Sequence, residues 1–449
     1  MKVHTLNVSL PEDILKLKLN GQFDLVKEII DLRVQKDIPS ELKERLLLEK
    51  ELLDRFKEDF IYTKDEAIAI CKEHIEDFKE EEFDQLFKEG AFEFIFIEGK
   101  LMFKDDFFAN LIKTRKEYRL RNKEKNEINR NFELLDQVIT KMKEKGEARY
   151  YMHIRSSIQI KKEYEKIGKK VRVWIPIPIE YAQVENFKLL STTPQATLIN
   201  APDTDHRCVY FETELKENQI FEVEYSFINH SIYHKLDPSI VSDEHPQIGL
   251  EEIKPHYVFS DYLIHLTKEV IGEQTNPLLK AKKIYDYITS HVIYSYVRSY
   301  ITLPLIPDYV ATSLKGDCGL QASLFITMCR IAGIPSLWQA GLYATPLSIG
   351  NHDWAQFYIA PYGWLFADCS FGGAAYHADS KLRRDFYFGN LEPFRIPLAK
   401  NFMADLVPEN KFTRKDPYDN QNGEIEYIDE KIEGSMYDSI QTILEIKEL

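Results

Sequence analysis

The spacing of apolar residues changes along the chain and divides it into regions of different predicted structure. Up to about residue 146, apolar side chains such as Leu46, Leu53 and Phe56 recur at helical spacing among Glu and Lys residues. This period places the apolar side chains on one face of a helix and leaves the charged residues on the other. We therefore predict a helical domain over residues 1–146.

A period of two replaces the helical period after this point. β-branched and aromatic residues alternate with polar ones, as in half-buried strands. Four segments show the pattern, at residues 152–160, 171–175, 208–211 and 220–227. Pro176 and Pro178 lack backbone donors and so end the second strand. Residues 147–245 are predicted to form an antiparallel β domain, a small sandwich.

The next region mixes the two periods. Helices are predicted over residues 276–290 and 317–332, and the strands that follow are at 336–343, 354–359 and 364–368. A helix that leads into an antiparallel sheet is α+β architecture. We therefore predict an α+β fold for the chain, with an α+β core over residues 246–408 and a peripheral acidic tail over 409–449.

A thiol at the start of one predicted helix is the first candidate for chemistry. Cys318 lies between Asp317 and Gly319 in the run Lys-Gly-Asp-Cys-Gly-Leu. Asp317 is a suitable N-cap, which puts Cys318 in the first turn, where unpaired N–H groups and the helix dipole favour an anion. We expect the pKa of the thiol to be lowered, and the backbone N–H of Cys318 to be open to a substrate carbonyl because Gly316 and Gly319 leave the backbone uncovered.

A base and an acid for this thiol follow later in the chain. His352 begins a predicted strand, and Asp368 ends the next one. Asp353 is the poorer partner for His352, because neighbouring strand residues point to opposite faces. A tight hairpin would pair residue 352 with 371, about 10 Å along the strand from Asp368 at about 3.3 Å per residue. A bulge or an asymmetric turn is therefore needed to bring the imidazole and the carboxylate together.

These residues resemble the transglutaminase-like superfamily of papain-type Cys-His-Asp proteins. The resemblance covers about residues 250–400, and it rests on Gly-Asp-Cys-Gly at 316–319, Ala-Gly-Ile-Pro at 332–335, His-Asp-Trp at 352–354 and the segment 364–368. It implies a transglutaminase-like, papain-like core in which Cys318 is the nucleophile, His352 the base and Asp368 the acid that orients the imidazole.

The resemblance also implies further groups around the thiol. Family members often place an aromatic or amide side chain beside the nucleophile as a second oxyanion donor. Tyr294, Tyr296 and Tyr300 are the candidates, of which we favour Tyr294. We also expect Gly319 to leave room for a substrate and Trp354 to shield the imidazole, with the loop 344–350 as a lid over the cleft.

Composition and charge limit the partners. The net charge of −15 repels nucleic acid and anionic membrane surfaces, so neither is expected to bind. The five cysteines are dispersed and form no CxxC pair, and no phosphate-binding glycine motif occurs, so we expect no metal and no cofactor. The first residues lack the apolar run of a signal peptide, from which we expect a cytoplasmic protein. The oligomeric state is not determined by the sequence.

Three functions are compatible with these features. The first is hydrolysis of a peptide or protein amide bond by a cysteine peptidase or amidase. The second is transfer of the acyl group to an amine by a protein-glutamine transglutaminase. The third is a non-catalytic transglutaminase-like scaffold that only binds a partner. We favour hydrolysis, because nothing in the sequence marks an amine site or the calcium-binding loops of animal cross-linking enzymes.

Overall fold

The computed structural model describes residues 3–124 and 131–449. Helices and sheets are both abundant in these residues, and the predicted α+β class is confirmed. Within this part of the chain, no helix combines the length and the apolar character needed to cross a membrane.

The amino-terminal region is mostly helical and packs around two small apolar cores. Its helices are α1 Glu12–Leu19, α2 Phe23–Val34, α3 Ser40–Asp59, α4 Lys64–His74, α5 Glu80–Lys88, α6 Phe107–Thr114, α7 Lys116–Leu120 and α8 Asn131–Lys145. A sheet of order β1-β3-β2 lies among them, formed by β1 Phe60–Thr63, β2 Phe94–Ile97 and β3 Lys100–Lys104. The sequence analysis missed these strands, because four or five residues are too few to establish a period.

Helix α8 packs with the rest of the molecule rather than with the amino-terminal helices. Its buried Leu135, Val138, Ile139 and Met142 belong to the main core, together with both sheets of the β region. The two amino-terminal cores draw their buried residues from positions up to 118. Leu48 and Leu52 of α3 belong to the same main core, so the amino-terminal helices are joined to it there. The change from helix to strand falls at residue 146.

The β region consists of two antiparallel sheets. One contains β4 Glu147–Ile160, β6 Val184–Thr193 and β9 Ile220–Ile232, and the other contains β5 Lys170–Pro176, β7 Leu198–Ile199 and β8 Cys208–Glu214. Buried and half-exposed residues alternate along β4. Buried side chains from both sheets join one apolar core, which is the arrangement of a sandwich.

The core region sets a buried helix against a five-stranded antiparallel sheet. Its helices are α9 Asp261–Ile271, α10 Pro277–His291, α11 Ile306–Ser313, α12 Cys318–Ile331, α13 Cys369–His377 and α14 Lys381–Phe386. Its strands are β10 Ile293–Tyr294, β11 Lys315–Gly316, β12 Ser336–Thr345, β13 Ser348–Ile359, β14 Gly363–Ala367, β15 Phe388–Gly389 and β16 Arg395–Ala399. The sheet order is β15-β14-β13-β12-β16, and residues 319–330 of α12 are all buried.

The carboxy-terminal residues are not a peripheral tail, and that expectation is wrong. The strand β17 Glu424–Tyr427 pairs with β5, and β18 Tyr437–Glu448 pairs with β4 along almost its whole length. Each of these strands is at the edge of one sheet of the sandwich. The isoleucines of β18, at positions 440, 443 and 446, are three residues apart, so the sequence does not show the strand period there. Residues 409–423 therefore have to cross from the core region back to the sandwich.

Candidate active site

Helix α12 begins at the candidate nucleophile. Asp317 is its N-cap, because Asp317 Oδ1 accepts a hydrogen bond of 3.0 Å from the backbone N–H of Leu320. The hydroxyl of Tyr300 donates to the same oxygen at 2.6 Å. Cys318 is thus the first residue of the helix, as predicted, and it is the partly exposed cysteine of the chain, whereas the other four are buried.

The predicted base and acid meet on the sheet. His352 Nε2 lies 2.7 Å from Asp368 Oδ2, and both side chains are buried. The turn between β13 and β14 pairs Ala355 with Ala367, so residue 352 is level with residue 370 rather than 371. Asp368 follows the last residue of β14. It lies two residues from the position directly opposite His352, and an imidazole can span this diagonal distance. No bulge is needed.

A buried arginine completes the surroundings of Asp368. Arg395 Nη2 donates to Asp368 Oδ2 at 2.8 Å, and Arg395 also pairs with Glu392. Both ends of the Asp368–Arg395 pair are fully buried. Burial by itself opposes ionisation of Asp368, but His352 and Arg395 outweigh it and hold the pKa of this carboxyl well below its usual value.

The imidazole is in its neutral form at neutral pH. Burial lowers the pKa of His352, and the Asp368 carboxylate opposes that decrease without cancelling it. His352 Nε2 is engaged with Asp368, and within the described residues no hydrogen bond joins His352 to Cys318, whose Sγ contacts Asp353 instead. The plane of Trp354 lies nearly parallel to the imidazole, with ring centroids 6.0 Å apart.

The thiol itself contacts the residue beside His352. Cys318 Sγ lies 3.6 Å from Asp353 Oδ2, and this is its side-chain hydrogen bond within the described residues. Burial, then Asp353, then Asp317 raise the pKa of Cys318 well above its usual value, and the backbone N–H of Asp353 counteracts part of the rise. The prediction that the pKa of the thiol is lowered is therefore wrong. The helix start favours an anion, but burial beside two carboxyl groups outweighs this effect.

A cavity of about 400 Å³ opens beside Cys318. Residues 294–300 line one side of it, and residues 415–424 of the carboxy-terminal crossing line another. Gln421 fixes this crossing to the site, because its Nε2 donates to Asp353 Oδ1 at 2.6 Å and to the backbone oxygen of His352 at 3.2 Å. The segment thought to be peripheral thus forms a wall of the site.

The candidate lid is a tight hairpin. Thr345 pairs with Ser348 across a two-residue turn, and the strands run continuously on either side. Loop 344–350 is therefore part of the sheet and is not a lid. Residues of the segment 415–424 line the cavity instead.

The three candidate tyrosines have different surroundings. Tyr300 donates to Asp317, and Tyr296 receives a hydrogen bond of 3.3 Å from Lys113. The hydroxyl of Tyr294 makes no hydrogen bond within the described residues, and Tyr294 lines the cavity together with Cys318. Burial, followed by Cys318 and Asp317, raises the pKa of Tyr294, so its hydroxyl keeps its proton and can donate it. Of the three, Tyr294 has the hydroxyl that is available.

Gly319 is required by packing, which differs from the expectation of an uncovered backbone. A Cβ at this position would lie 2.3 Å from the Tyr300 hydroxyl and 2.8 Å from both Asp353 Oδ2 and Trp338. Gly319 is itself buried. Its small size lets the Asp353 carboxyl and the Tyr300 ring approach the start of α12, and any larger residue has to displace them.

Two groups of the site were missed by the sequence analysis. Arg395 had a detectable signal, because it is a single charge in the otherwise apolar run Phe-Arg-Ile-Pro-Leu at 394–398, and a buried charge needs a partner. Gln421 had none, since it lies in a polar run typical of any surface loop. Only the return of the chain from the core to the sandwich brings Gln421 to the strand β13.

Residues 264–369 match the family model of the transglutaminase-like superfamily. The matched segment runs from α9 to the first residue of α13 and includes Cys318, His352 and Asp368. The predicted resemblance is confirmed for this segment, which is a transglutaminase-like core. An uncharacterized protein of Haemophilus influenzae (strain ATCC 51907 / DSM 11121 / KW20 / Rd) is 24% identical over 195 residues, covering 35% of this chain and 53% of the relative. The chain thus spans about half the length of that relative.

Similar solved structures include proteins of three bacteria. A putative cysteine protease from Cytophaga hutchinsonii has a TM-score of 0.39 at 16% identity and covers 68% of this chain and 90% of its own. The periplasmic domain of TgpA from Pseudomonas aeruginosa has a TM-score of 0.28 at 14% identity, covering 56% and 96%. A putative protease from Parabacteroides distasonis has a TM-score of 0.23 at 15% identity, covering 46% and 42%.

Proposed function

We propose that this protein is a cysteine-dependent acyl-transfer enzyme that hydrolyses amide bonds, with Cys318 as nucleophile, His352 as base and acid, and Asp368 as the group that orients His352. The observation that carries the proposal is the buried contact of 2.7 Å between His352 Nε2 and Asp368 Oδ2, beside a helix that begins at Cys318. A carboxylate bonded to one ring nitrogen fixes the tautomer and stabilises the imidazolium that forms during the reaction.

The resting pair is a neutral thiol and a neutral imidazole, so the proton moves as the sulfur attacks. The thiol first leaves its contact with Asp353 Oδ2 and turns toward His352. Cys318 Sγ then forms a bond to the substrate carbonyl carbon while its proton passes to His352 Nδ1. The tetrahedral oxyanion then collapses, the C–N bond breaks, and His352 returns the proton to the leaving amine. Water then attacks the resulting thioester and gives one proton to Nδ1. The C–S bond breaks, Nδ1 returns this proton to the sulfur, and the carboxylic acid leaves.

We assign two donors to the oxyanion. One is the backbone N–H of Cys318 at the start of α12, and the other is the hydroxyl of Tyr294, which lines the same cavity. Donors that are held in position before the reaction stabilise the developing charge without reorganising. The residues Arg395 and Glu392 act through Asp368: they keep this carboxyl ionised in a fully buried place.

Acylation by an activated ester tests the proposal without knowledge of the natural substrate. p-Nitrophenyl acetate is mixed with the protein, release of nitrophenolate is followed by absorbance, and the acetyl group is located by mass spectrometry of the intact and digested chain. We expect a burst of nitrophenolate and an acetyl group on Cys318.

Matched variants separate catalysis from general reactivity. Cys318→Ala and His352→Ala are expected to lose the burst, whereas Cys329→Ala, which removes a buried thiol of the same helix, keeps it. Acetylation spread over several residues, or a burst that survives His352→Ala, contradicts the proposed triad and favours the scaffold.

Addition of a primary amine separates hydrolysis from transfer. With glycine methyl ester present, a hydrolase releases mainly acetate, and a transferase releases mainly the N-acetyl product. Chromatography of the products gives the ratio. We expect acetate to predominate.

A further inference from the structure

The cavity beside Cys318 contains more carboxyl groups than its neighbours neutralise. Asp317, Asp353, Asp416, Asp419 and Glu424 all line it. Within the described residues, none of the five forms an ion pair within 4 Å. Their hydrogen bonds come from neutral donors instead, such as the Tyr300 hydroxyl for Asp317, the Gln421 amide for Asp353 and backbone N–H groups for Glu424.

The positive charges near the cavity are engaged elsewhere. Arg298 pairs with Glu93 at 3.6 Å. Lys415 lies over the ring of Tyr437, with Nζ 5.6 Å from its centroid. Lys113 lies over the ring of Tyr294 at 3.8 Å and over that of Tyr296 at 4.4 Å. The cavity therefore holds several carboxyl groups next to the thiol with no cation paired to them within the described residues.

One of these carboxyl groups has an oxygen without a donor. Asp419 is 6% exposed, and no N–H or O–H group bonds to its Oδ1. The neighbours of Asp419 are the carboxyl groups of Asp416 and Asp353, and these, after burial, raise the pKa of Asp419 well above its usual value. The pKa of Asp353 is raised as well, by burial first and then by Asp317 and Asp416. Carboxyl groups kept this close are stabilised by any cation that enters between them.

We infer that the cavity lined by Asp353, Asp416 and Asp419 binds a primary ammonium group of a molecule that reacts at Cys318. The inference rests on the proposed function, because it makes the ammonium group part of the substrate. An ammonium offers three hydrogen-bond donors from one small centre, which suits carboxyl groups that different residues contribute to the lining of one cavity. The ammonium belongs either to the acyl donor, next to its scissile amide, or to an amine that accepts the acyl group.

The charge preference of the cavity is measurable without turnover. Cys318 is modified with 2-aminoethyl, methyl and 2-sulfonatoethyl methanethiosulfonate, which are cationic, neutral and anionic reagents for the same reaction. Rates are followed by mass spectrometry, and N-acetylcysteine amide gives the reference rates. We expect the ratio of cationic to anionic rate to exceed the reference ratio about tenfold and to fall as ionic strength rises.

Charge-neutral variants assign the preference to the cavity. Asp419→Asn and Asp416→Asn are each expected to reduce the ratio at least about threefold, and Glu445→Gln, an exposed residue of β18, leaves it unchanged. Thermal melting establishes that each variant is folded. Two results overturn the inference: a wild-type ratio equal to the reference, or a raised ratio that neither Asp variant alters.

Protection of Cys318 identifies the source of the ammonium group. Alaninamide carries an α-ammonium and N-acetyllysinamide a side-chain ammonium, and N-acetylalaninamide and N-acetylnorleucinamide are their uncharged counterparts. Slower modification by methyl methanethiosulfonate in the presence of either charged compound, but not its counterpart, supports the inference. Equal protection by the uncharged compounds contradicts it, as does protection by calcium chloride alone.

These results are separate from those for the proposed function. A charge preference without an acetyl-enzyme supports the ammonium site and contradicts the proposed enzyme activity. An acetyl-enzyme without a charge preference supports the enzyme activity and contradicts the ammonium site.

Discussion

Asp353 lies on the strand β13 and Asp368 just after β14, and these two carboxyl groups have very different surroundings. Asp368 lies by His352 and Arg395, and the pKa of its carboxyl is far below the usual value. Asp353 lies by Cys318 and three further aspartates, and the pKa of its carboxyl is far above the usual value. Both are buried. Burial therefore does not decide the charge of a carboxyl group; the sign of the charge beside it does.

The strand itself produces this difference. His352 and Asp353 are neighbours in the chain and make different contacts: His352 bonds to Asp368 at the start of α13, and Asp353 contacts Cys318 at the start of α12. A single peptide unit thus separates an ion-paired environment, suited to holding an imidazole, from an acidic cavity beside the thiol.

The largest effect is expected from removal of the charge on Asp368. Asp368→Asn keeps the shape but no longer stabilises the imidazolium or selects the tautomer, so the rate of acyl transfer falls about 10³- to 10⁴-fold. Burst kinetics with p-nitrophenyl acetate measure it. Asp385→Asn, which loses an exposed carboxylate on α14, serves as control and is expected to react like wild type. A loss of less than about tenfold means that His352 does not depend on Asp368.

Arg395→Met tests the ion pair that distinguishes the Asp368 side. The change leaves Asp368 and Glu392 buried without their common partner, and breaking such a pair costs about 3–5 kcal/mol of unfolding free energy. Denaturation in urea measures it. Lys400→Met removes a half-exposed positive charge just after β16 that pairs with the exposed Asp205 at 3.5 Å, and it is expected to change stability by less than about 1 kcal/mol. Similar stability of both variants means that Arg395 does not stabilise this side of β13.

Tyr294→Phe tests the opposite side, where the oxyanion is expected. Loss of one donor lowers the acylation rate about 10²- to 10³-fold, with little change in the melting temperature. Tyr296→Phe is the matched control, because it removes a second tyrosine hydroxyl from the lining of the same cavity, one that accepts a hydrogen bond from Lys113. Equal rates for the two variants assign no oxyanion role to Tyr294.

The smallest change is expected from Asp353→Asn, and it has the opposite sign. In the wild type, the raised pKa of Cys318 makes alkylation by iodoacetamide continue to accelerate above pH 8, since only the thiolate reacts. The amide keeps the hydrogen bond from Gln421 but removes a neighbouring carboxyl, so the pKa of Cys318 decreases and alkylation at pH 7 becomes about tenfold faster per pKa unit. Rates from pH 5 to 10 measure both curves. A wild-type rate already constant below pH 7 contradicts the acidic environment assigned to the thiol.

The helix start at Cys318 and the pairing of His352 with Asp368 were predictable because their signals are local. A cap at Asp317 and a glycine at 319 mark the start of α12, and the strand period predicted that His352 and Asp368 share a face. The register was harder to predict. The turn between β13 and β14 differs by one residue from the predicted turn. As a result, Asp368 lies two residues, and not three, from the position directly opposite His352. Sequence alone does not define the length of a turn to one residue.

The electrostatics of the site were not predictable in this way. The helix start predicted a thiolate, and the sign changed because two carboxyl groups approach the sulfur from the cap and from β13. The acidic wall of the cavity comes from residues 415–424, which lie about 100 positions after Cys318 and reach it only because β17 and β18 close the two sheets of the sandwich.

The amino-acid sequence by itself determined the periods, the caps and the order of cysteine, histidine and aspartate, because these depend on residues a few positions apart. The tertiary structure alone decided which charges surround them. A pKa depends on every group within several ångströms, and such groups come from parts of the chain whose distance in sequence carries no information about their distance in space.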